Sequence, residues 1–253
     1  MDPTRALLEA LRGDPGRVGA FVDYDGTIAP IVVDPDAALP APGAVDLLLA
    51  LTEHLGRVVV VSGRPVAFLA RHLPAAIDVV GLYGLEDRRS GVLAEHALAA
   101  EWRPVVDEVA MAAVDTAPPG VEVEHKGLSL TLHVRRHSEQ EDAARVWAEA
   151  AAATSGLVLR SARRSVELHP PVAVDKGTVV DDLVAGLAAA CFVGDDAGDL
   201  TAFAALDRFA ASGGTALKVA VESDEAPPAM LEAADLRVAG PEGALAFLRS
   251  LLP

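Results

Sequence analysis

Five short runs, nearly all apolar and rich in β-branched residues, set the strongest limit on this chain: Val18–Asp23, Arg57–Val61, Val79–Tyr83, Cys191–Gly194 and Lys218–Val221. Their apolar residues are consecutive rather than alternate, so both faces of each strand have to be covered. Between them lie amphipathic segments, Gly43–Leu55, Pro65–Leu73 and Leu200–Leu206, each opened by Gly, Pro or a capping residue. Apolar strands separated by helices predict an α/β fold with a parallel sheet flanked by helices. Such sheets bind ligands beyond the carboxyl ends of their strands. Here those ends carry Asp23 and Asp25, then Ser62, Gly63 and Arg64, then Asp195 and Asp196.

The middle of the chain follows another rule. VEVEHKGLSLTLHVR alternates with period two around Lys126-Gly127, GLVLRSARRSVELHP repeats the style, and a helical segment, Ser138–Ala153, lies between them. Alternation predicts an antiparallel sheet with one covered face. The expected organisation is a core of residues 1–102 and 170–253 with a smaller α+β domain, 103–169, inserted into it. Val121, Val123, Leu130, Leu132 and Val134 mark the covered face of that insert. Glu122, Glu124, Lys126, Thr131, His133 and Arg135 mark the other. A mixed-charge solvated face would read the same way, but acids, base and hydroxyl together suit a ligand with many hydroxyl groups, each able to donate and accept.

Charge and composition remove several function classes. A net charge of −16 over 253 residues disfavours nucleic acid and acidic membranes as partners. No apolar run reaches the length of a membrane span. The N-terminal MDPTRALLEALRGDPG is charged and helical in pattern, so no secretory signal is read there. The single Cys191 fits a reducing cytoplasm and sits in the apolar run AACFVGDD. No glycine-rich nucleotide loop is found, so no nucleotide cofactor is expected. Only three of the 21 basic residues are lysines, Lys126, Lys176 and Lys218, which suggests that each has a task arginine does not fill.

Four motifs carry chemistry. FVDYDGTIAP ends a strand on Asp23 and Asp25; an Asp-Gly turn alone would explain it, but two carboxylates there also suit a nucleophile with a proton donor beside it. VVVVSGRP offers the Ser62 hydroxyl to a phosphate oxygen or, equally, to the first turn of the following helix. VDKGTVVDDL places Lys176 at a helix N-terminus, where a cation is unfavourable unless an anion is held nearby. GDDAGD gathers Asp195, Asp196 and Asp199 in one turn, costly without a cation, and oxygen-only ligands point to Mg2+.

These four pieces, in this order, resemble the haloacid dehalogenase-type phosphatases, whose core is a Rossmann-like sheet. Within them DYDGTIAPI, SGRP, GLYGLE, EHKGLSLTLHVR, VELHPP and DKG look like the trehalose-6-phosphate phosphatase branch, with the likeness running through nearly the whole chain. The resemblance implies Asp23 as nucleophile and Mg2+ ligand, and Asp25 as general acid/base with its main-chain carbonyl on the metal. It implies Thr27, Ser62 and Lys176 on the transferring phosphoryl group, and Asp195 completing the metal site with Asp196 or Asp199 in support. Glu124, Lys126, His133, Arg135 and Glu167 correspond to positions that face the sugar, on a cap that would shield the acidic rim from water. Gly198 and Leu200 stand where the family often has Thr and Glu, and Tyr83 where it often has His.

The expected activity is therefore Mg2+-dependent hydrolysis of trehalose 6-phosphate by a cytoplasmic monomer whose partner is a small sugar phosphate. Asp25 would have to start protonated, which nearby carboxylates would favour. A sister phosphatase acting on sucrose or hexose phosphate keeps every core residue and stays open. A sensor that binds without cleaving would be expected to lose Asp23, Asp25 or Lys176, and all three are present. DxDGT by itself separates hydrolysis from phosphoryl transfer between sugars only weakly.

Overall fold

Phe21 and its neighbours Ala20 and Val22 are all fully buried, yet they point to opposite sides of one sheet. That is what a run without polar residues demands. The computed structural model describes residues 2–32, 34–162, 165–223 and 226–253. In chain order it forms α1 (Pro3–Gly13), β1 (Val18–Val22), α2 (Ala44–His54), β2 (Arg57–Val61), α3 (Val66–His72), β3 (Asp78–Gly81), β4 (Glu86–Arg89) and β5 (Val92–Glu95). Next come α4 (Ala97–Ala100), α5 (Arg103–Thr116), β6 (Glu122–His125), β7 (Leu130–His133), α6 (Glu141–Ser155), β8 (Val158–Ala162) and β9 (Ser165–His169). The chain ends with α7 (Lys176–Leu183), β10 (Ala189–Gly194), α8 (Leu200–Ala211), β11 (Thr215–Glu222), α9 (Pro228–Ala233), β12 (Leu236–Ala239) and α10 (Gly240–Arg249). No described helix is long and apolar enough to cross a membrane.

The chain divides into two units, Met1–Ala94 with Val174–Pro253, and Glu95–Ala173. The change in pattern read at Trp102 and His169 thus falls slightly inside the second unit. In the first, eight strands lie in the order β12-β11-β10-β1-β2-β3-β4-β5, parallel from β12 to β3. Val18, Ala20 and Val22 meet α1, α2, α3 and α10 on one face. Phe21, Val59 and Phe192 meet α7, α8 and α9 on the other. Each such aromatic or aliphatic side chain stabilises the fold by roughly 1.5–3 kcal/mol.

Two departures from the expected sheet have physical causes. Strand β3 stops at Gly81 rather than Tyr83, because Leu82 and Tyr83 take positive φ angles of 47° and 59°, which end an extended strand. Strand β4 then pairs with β3 antiparallel, a charged strand between β3 and the edge strand β5 that the apolar pattern did not reveal. Its Arg88 is buried and donates to the carbonyls of Leu73, Pro74 and Ile77, closing the end of α3.

The second unit is a four-stranded antiparallel sheet, β6-β7-β9-β8, with α5 and α6 on one face. Its core is the alternating set Leu130, Leu132, Val166 and Leu168 against Val106, Ala113, Ala144 and Ala148. Helix α5 is not among the elements expected from the sequence, although Val106, Ala110 and Ala113 recur at helical spacing. Residues 163 and 164, inside the expected strand pair, lie outside the described residues.

Candidate active site

Strand β1 delivers Asp23 to the rim: its N–H donates to Val193 O at 2.9 Å, keeping it in line with the sheet. The side chain is buried, and Oδ1 accepts from Tyr24 N at 2.7 Å and meets Lys176 Nζ at 2.9 Å, so Oδ2 is the oxygen left to react or to meet a cation. The chain then turns on Gly26, whose φ is +73° and whose missing Cβ would collide with the Asp195 carboxylate. Glycine is thus required twice over, by conformation and by the approach of a second acid. The turn closes through Gly26 N to Ala29 O at 2.7 Å and buries Thr27 completely. Among the described residues Thr27 Oγ1 has no hydrogen-bond partner, an unusual state for a buried hydroxyl and one that an anion's oxygen would satisfy.

Asp25 points elsewhere. Both of its oxygens accept from Arg64, Oδ2 from Nε and Oδ1 from Nη2, each at 2.8 Å. The guanidinium lies over the Phe68 ring at 4.4 Å. Asp25 is thus paired with a cation, a neighbour that the reading of its acidic surroundings in the sequence did not include. Arg64 was read only as part of a strand end; its signal was its place in SGRP, directly after the serine.

At the end of β10 the acids gather. Lys176, at the first position of α7 behind an Asp175–Thr178 capping box, is buried and donates to Asp199 Oδ1 at 2.6 Å. Asp199 Oδ2 accepts the N–H groups of Asp195 and Asp196 at 2.9 and 3.1 Å, so this carboxylate braces the loop that presents Asp195. Asp196 turns to cap the following turn, accepting Gly198 N at 2.8 Å. Asp23, Asp195 and Asp199 are all buried and offer oxygens within 4.8 Å of one another, a group that could hold a metal ion. Burial, reinforced by Asp199, Asp196 and Asp195, pushes the Asp23 carboxyl well above its ordinary range against the pull of Lys176. Burial likewise pushes Asp199 up to about 6. Burial alone would lower Lys176, but Asp199 and Asp23 outweigh it and hold the ammonium above its usual range. One cation among four carboxylates leaves negative charge unbalanced, and a divalent ion fits that donor set.

Ser62 is buried at the end of β2 and does not cap α3. Its Oγ accepts Arg64 N at 3.1 Å, while the first N–H of that helix, Val66 N, goes to Glu86 Oε1 at 2.6 Å. The hydroxyl hydrogen therefore stays available to an acceptor at the rim. Tyr83 N donates to Ser62 O and Leu82 N to Arg64 O, both at 3.0 Å, and these bonds hold the two left-handed residues. Left-handed backbone costs a non-glycine residue roughly 1–2 kcal/mol, so the pair persists because its surroundings fix it.

In the second unit one face of the sheet carries the residues expected to meet a sugar. Glu124, Thr131 and Glu167 lie side by side across β6, β7 and β9. Glu124 Oε2 meets His133 Nε2 at 2.7 Å, and Lys126 Nζ meets Glu167 Oε1 at 3.1 Å and Glu124 Oε2 at 3.9 Å. Arg135 is half-buried two residues beyond His133 on the same alternation. Two partners of Glu167 were missed: Ser129 Oγ donates to Oε1 at 3.0 Å, and His169 Nε2 lies 3.3 Å from Oε2. Counting by twos from Thr131 and from Glu167 would have found both. Burial alone would raise the Glu167 carboxyl, but Lys126 and His169 hold it far below the usual carboxylate range.

The sequence model of the trehalose-phosphatase family matches residues 21–238. The trehalose-phosphate phosphatase of Mycobacterium ulcerans is 36% identical over 205 residues, 75% of this chain and 52% of its own length. That of Mycolicibacterium paratuberculosis is 33% identical over 220 residues, 81% of this chain and 56% of its own. The chain thus spans about half the length of the curated relatives it matches. The C-terminal domain of Candida albicans trehalose-6-phosphate phosphatase has the same fold, with a TM-score of 0.81 over 98% of this chain and 96% of that one at 23% identity. The resemblance read in the motifs is the one the comparisons return: the chain belongs to the trehalose-phosphatase family.

Proposed function

We propose that this chain is a Mg2+-dependent phosphatase that hydrolyses trehalose 6-phosphate to trehalose and phosphate. The observation that carries the reading is the buried group of Asp23, Lys176, Asp195 and Asp199 at adjoining strand ends, too acidic to be balanced by its own lysine. Asp23 and Asp195, with the main-chain carbonyl of Asp25, would hold the ion. Bound there, Mg2+ supplies positive charge shared between the carboxylates and the phosphoryl oxygens.

The chain's own groups perform the steps. Asp23 attacks phosphorus, the bond from phosphorus to the sugar oxygen breaks, and Asp25, once released from Arg64 and protonated by solvent, gives that oxygen its proton. The aspartyl-phosphate then meets water; Asp25 takes the water's proton as its oxygen joins phosphorus, and the Asp23 carboxylate leaves. Thr27 and Ser62 donate to the phosphoryl oxygens while Lys176 offsets their charge. Glu124, Lys126, His133, Arg135 and Glu167 supply donors and acceptors for the sugar hydroxyls, and Asp196 and Asp199 keep Asp195 in place. The chain is read as a cytoplasmic monomer, with Cys191 buried and its thiol pushed up to about 12 by burial.

Phosphate release from a panel of sugar phosphates with Mg2+, with and without EDTA, tests this. Turnover selective for trehalose 6-phosphate and lost on chelation is the expected result. An even spread across the panel would discard the sugar assignment, and turnover indifferent to EDTA would discard the metal.

A further inference from the structure

We propose that Tyr83 is a specificity-determining residue of this site, a fixed phenol wall against which the sugar leaving group packs; this rests on the reading of the chain as a sugar-phosphate phosphatase. Leu82 and Tyr83 stand consecutively in the left-handed region, at φ 47° and 59°. Neither is glycine, so the backbone is kept there by what it places. Leu82 goes wholly into the core, whereas Tyr83 remains partly exposed, so core packing explains the first side chain and not the second.

The ring lies directly on Gly63, where an added Cβ would come within 2.6 Å of its Cζ and Oη. On the far side it nears Gly198, where an added Cβ would stand 3.8 Å from Cε1. Gly63 follows β2 and Gly198 follows β10, the two strands that flank β1 and its Asp23. The ring therefore reaches between loops on either side of the reacting acid, beside Ser62 on one hand and the Asp196–Asp199 turn on the other. The backbone that carries the ring is held by Tyr83 N to Ser62 O and by Leu82 N to Arg64 O, and the ring itself rests on Gly63, so it needs little ordering when a ligand arrives. Two departures from the family pattern, Tyr83 and Gly198, face each other here: the larger side chain sits opposite the residue with none. A pyranose presents an apolar C–H face, which an immobile aromatic ring suits, while an acyclic or compact phosphate ester gains little from it.

The test compares wild type, Tyr83→Phe and Tyr83→Ala, loaded with Mg2+, on trehalose 6-phosphate and on glycerol 3-phosphate, an acyclic ester. Calorimetry of trehalose 6-phosphate binding to Asp23→Asn, with and without Tyr83→Ala, gives a readout without turnover. The alanine variant is expected to raise KM and Kd for the sugar phosphate about tenfold and to leave KM for the acyclic ester within about twofold, with phenylalanine near wild type. Unchanged KM and Kd, or equal losses in kcat on both substrates, would overturn the inference and make the ring a prop for the Ser62 loop. Should Tyr83→Ala fail to fold, Tyr83→Asn decides, since asparagine tolerates left-handed backbone while removing the ring: a KM rise confined to the sugar phosphate supports the role, and any other pattern overturns it. If the wild type prefers another sugar phosphate, the trehalose reading fails by itself and the same split is scored on that substrate. Cleavage of the acyclic ester alone removes both.

Discussion

Each unit buries a lysine against carboxylates, and the two pairs behave in opposite ways. In the first, Lys176 meets Asp23 and Asp199 with Asp195 and Asp196 close by, and both Asp23 and Asp199 are pushed upward. In the second, Lys126 meets Glu167 with His169 on its other oxygen, and Glu167 is held far down. Burial opposes charge in both, so depth is not the difference. The balance of neighbours is. An acid-rich pocket calls for a cation and an anionic reactant, whereas a balanced pair calls for neutral hydroxyl groups that bond to charges already satisfied.

The largest effect separates the two directly. Asp23→Asn should lower kcat by about ten-thousand-fold or more on every phosphate ester while the far-UV circular dichroism stays that of the parent. Turnover persisting within about a hundredfold would take the nucleophile away from the first unit. Glu167→Gln, the matching change in the second unit, should act on stability: it takes from Lys126 its nearer carboxylate and leaves Glu124 at 3.9 Å, a loss of roughly 1–3 kcal/mol. The pH dependence has a definite sign. Because the folded carboxyl lies below its unfolded value, its contribution is complete above the ordinary glutamate range near pH 4.3 and falls away as the medium becomes more acidic. The gap in Tm between parent and variant should therefore be widest near pH 7 and shrink below about pH 4. A gap that grew on acidification would show that Glu167 is buried as the neutral acid.

What the sequence made legible divides along the same line. Asp23, Thr27, Ser62, Lys176 and Asp195 could be found because each lies at a strand end or helix start that its own neighbours announce. The alternation of the insert placed Glu124, Lys126, His133 and Arg135 on one face for the same local reason. Contacts set by tertiary register were not legible. Arg64 reaches Asp25 across 39 positions, with its guanidinium packed on Phe68, itself edge-on to Tyr24 at 5.8 Å. Ser129 and His169 converge on Glu167 only once β7 and β9 are in register. The left-handed Leu82-Tyr83 pair broke the strand pattern without a glycine at either position to announce it.

Lysine scarcity itself was a sequence argument, and the third lysine tests it with the smallest expected effect. Lys218 is on β11, and its Nζ meets Asp207 at 2.7 Å, but Asp207 is 63% exposed, and Asp235 lies farther off at 4.0 Å. Exposed partners are screened by water, so such a pair contributes at most about 0.5–1 kcal/mol. Lys218→Met should then leave kcat and KM on trehalose 6-phosphate unchanged and shift Tm by only a few degrees. Added salt should shrink even that shift, which it would not do for a buried pair. If Lys218→Met instead reduced turnover, rarity would be the better guide to function, and the contrast drawn from Lys176 and Lys126 would lose its basis in burial and neighbouring charge. If it does not, a lysine in this chain matters only where its carboxylate partners are removed from water with it.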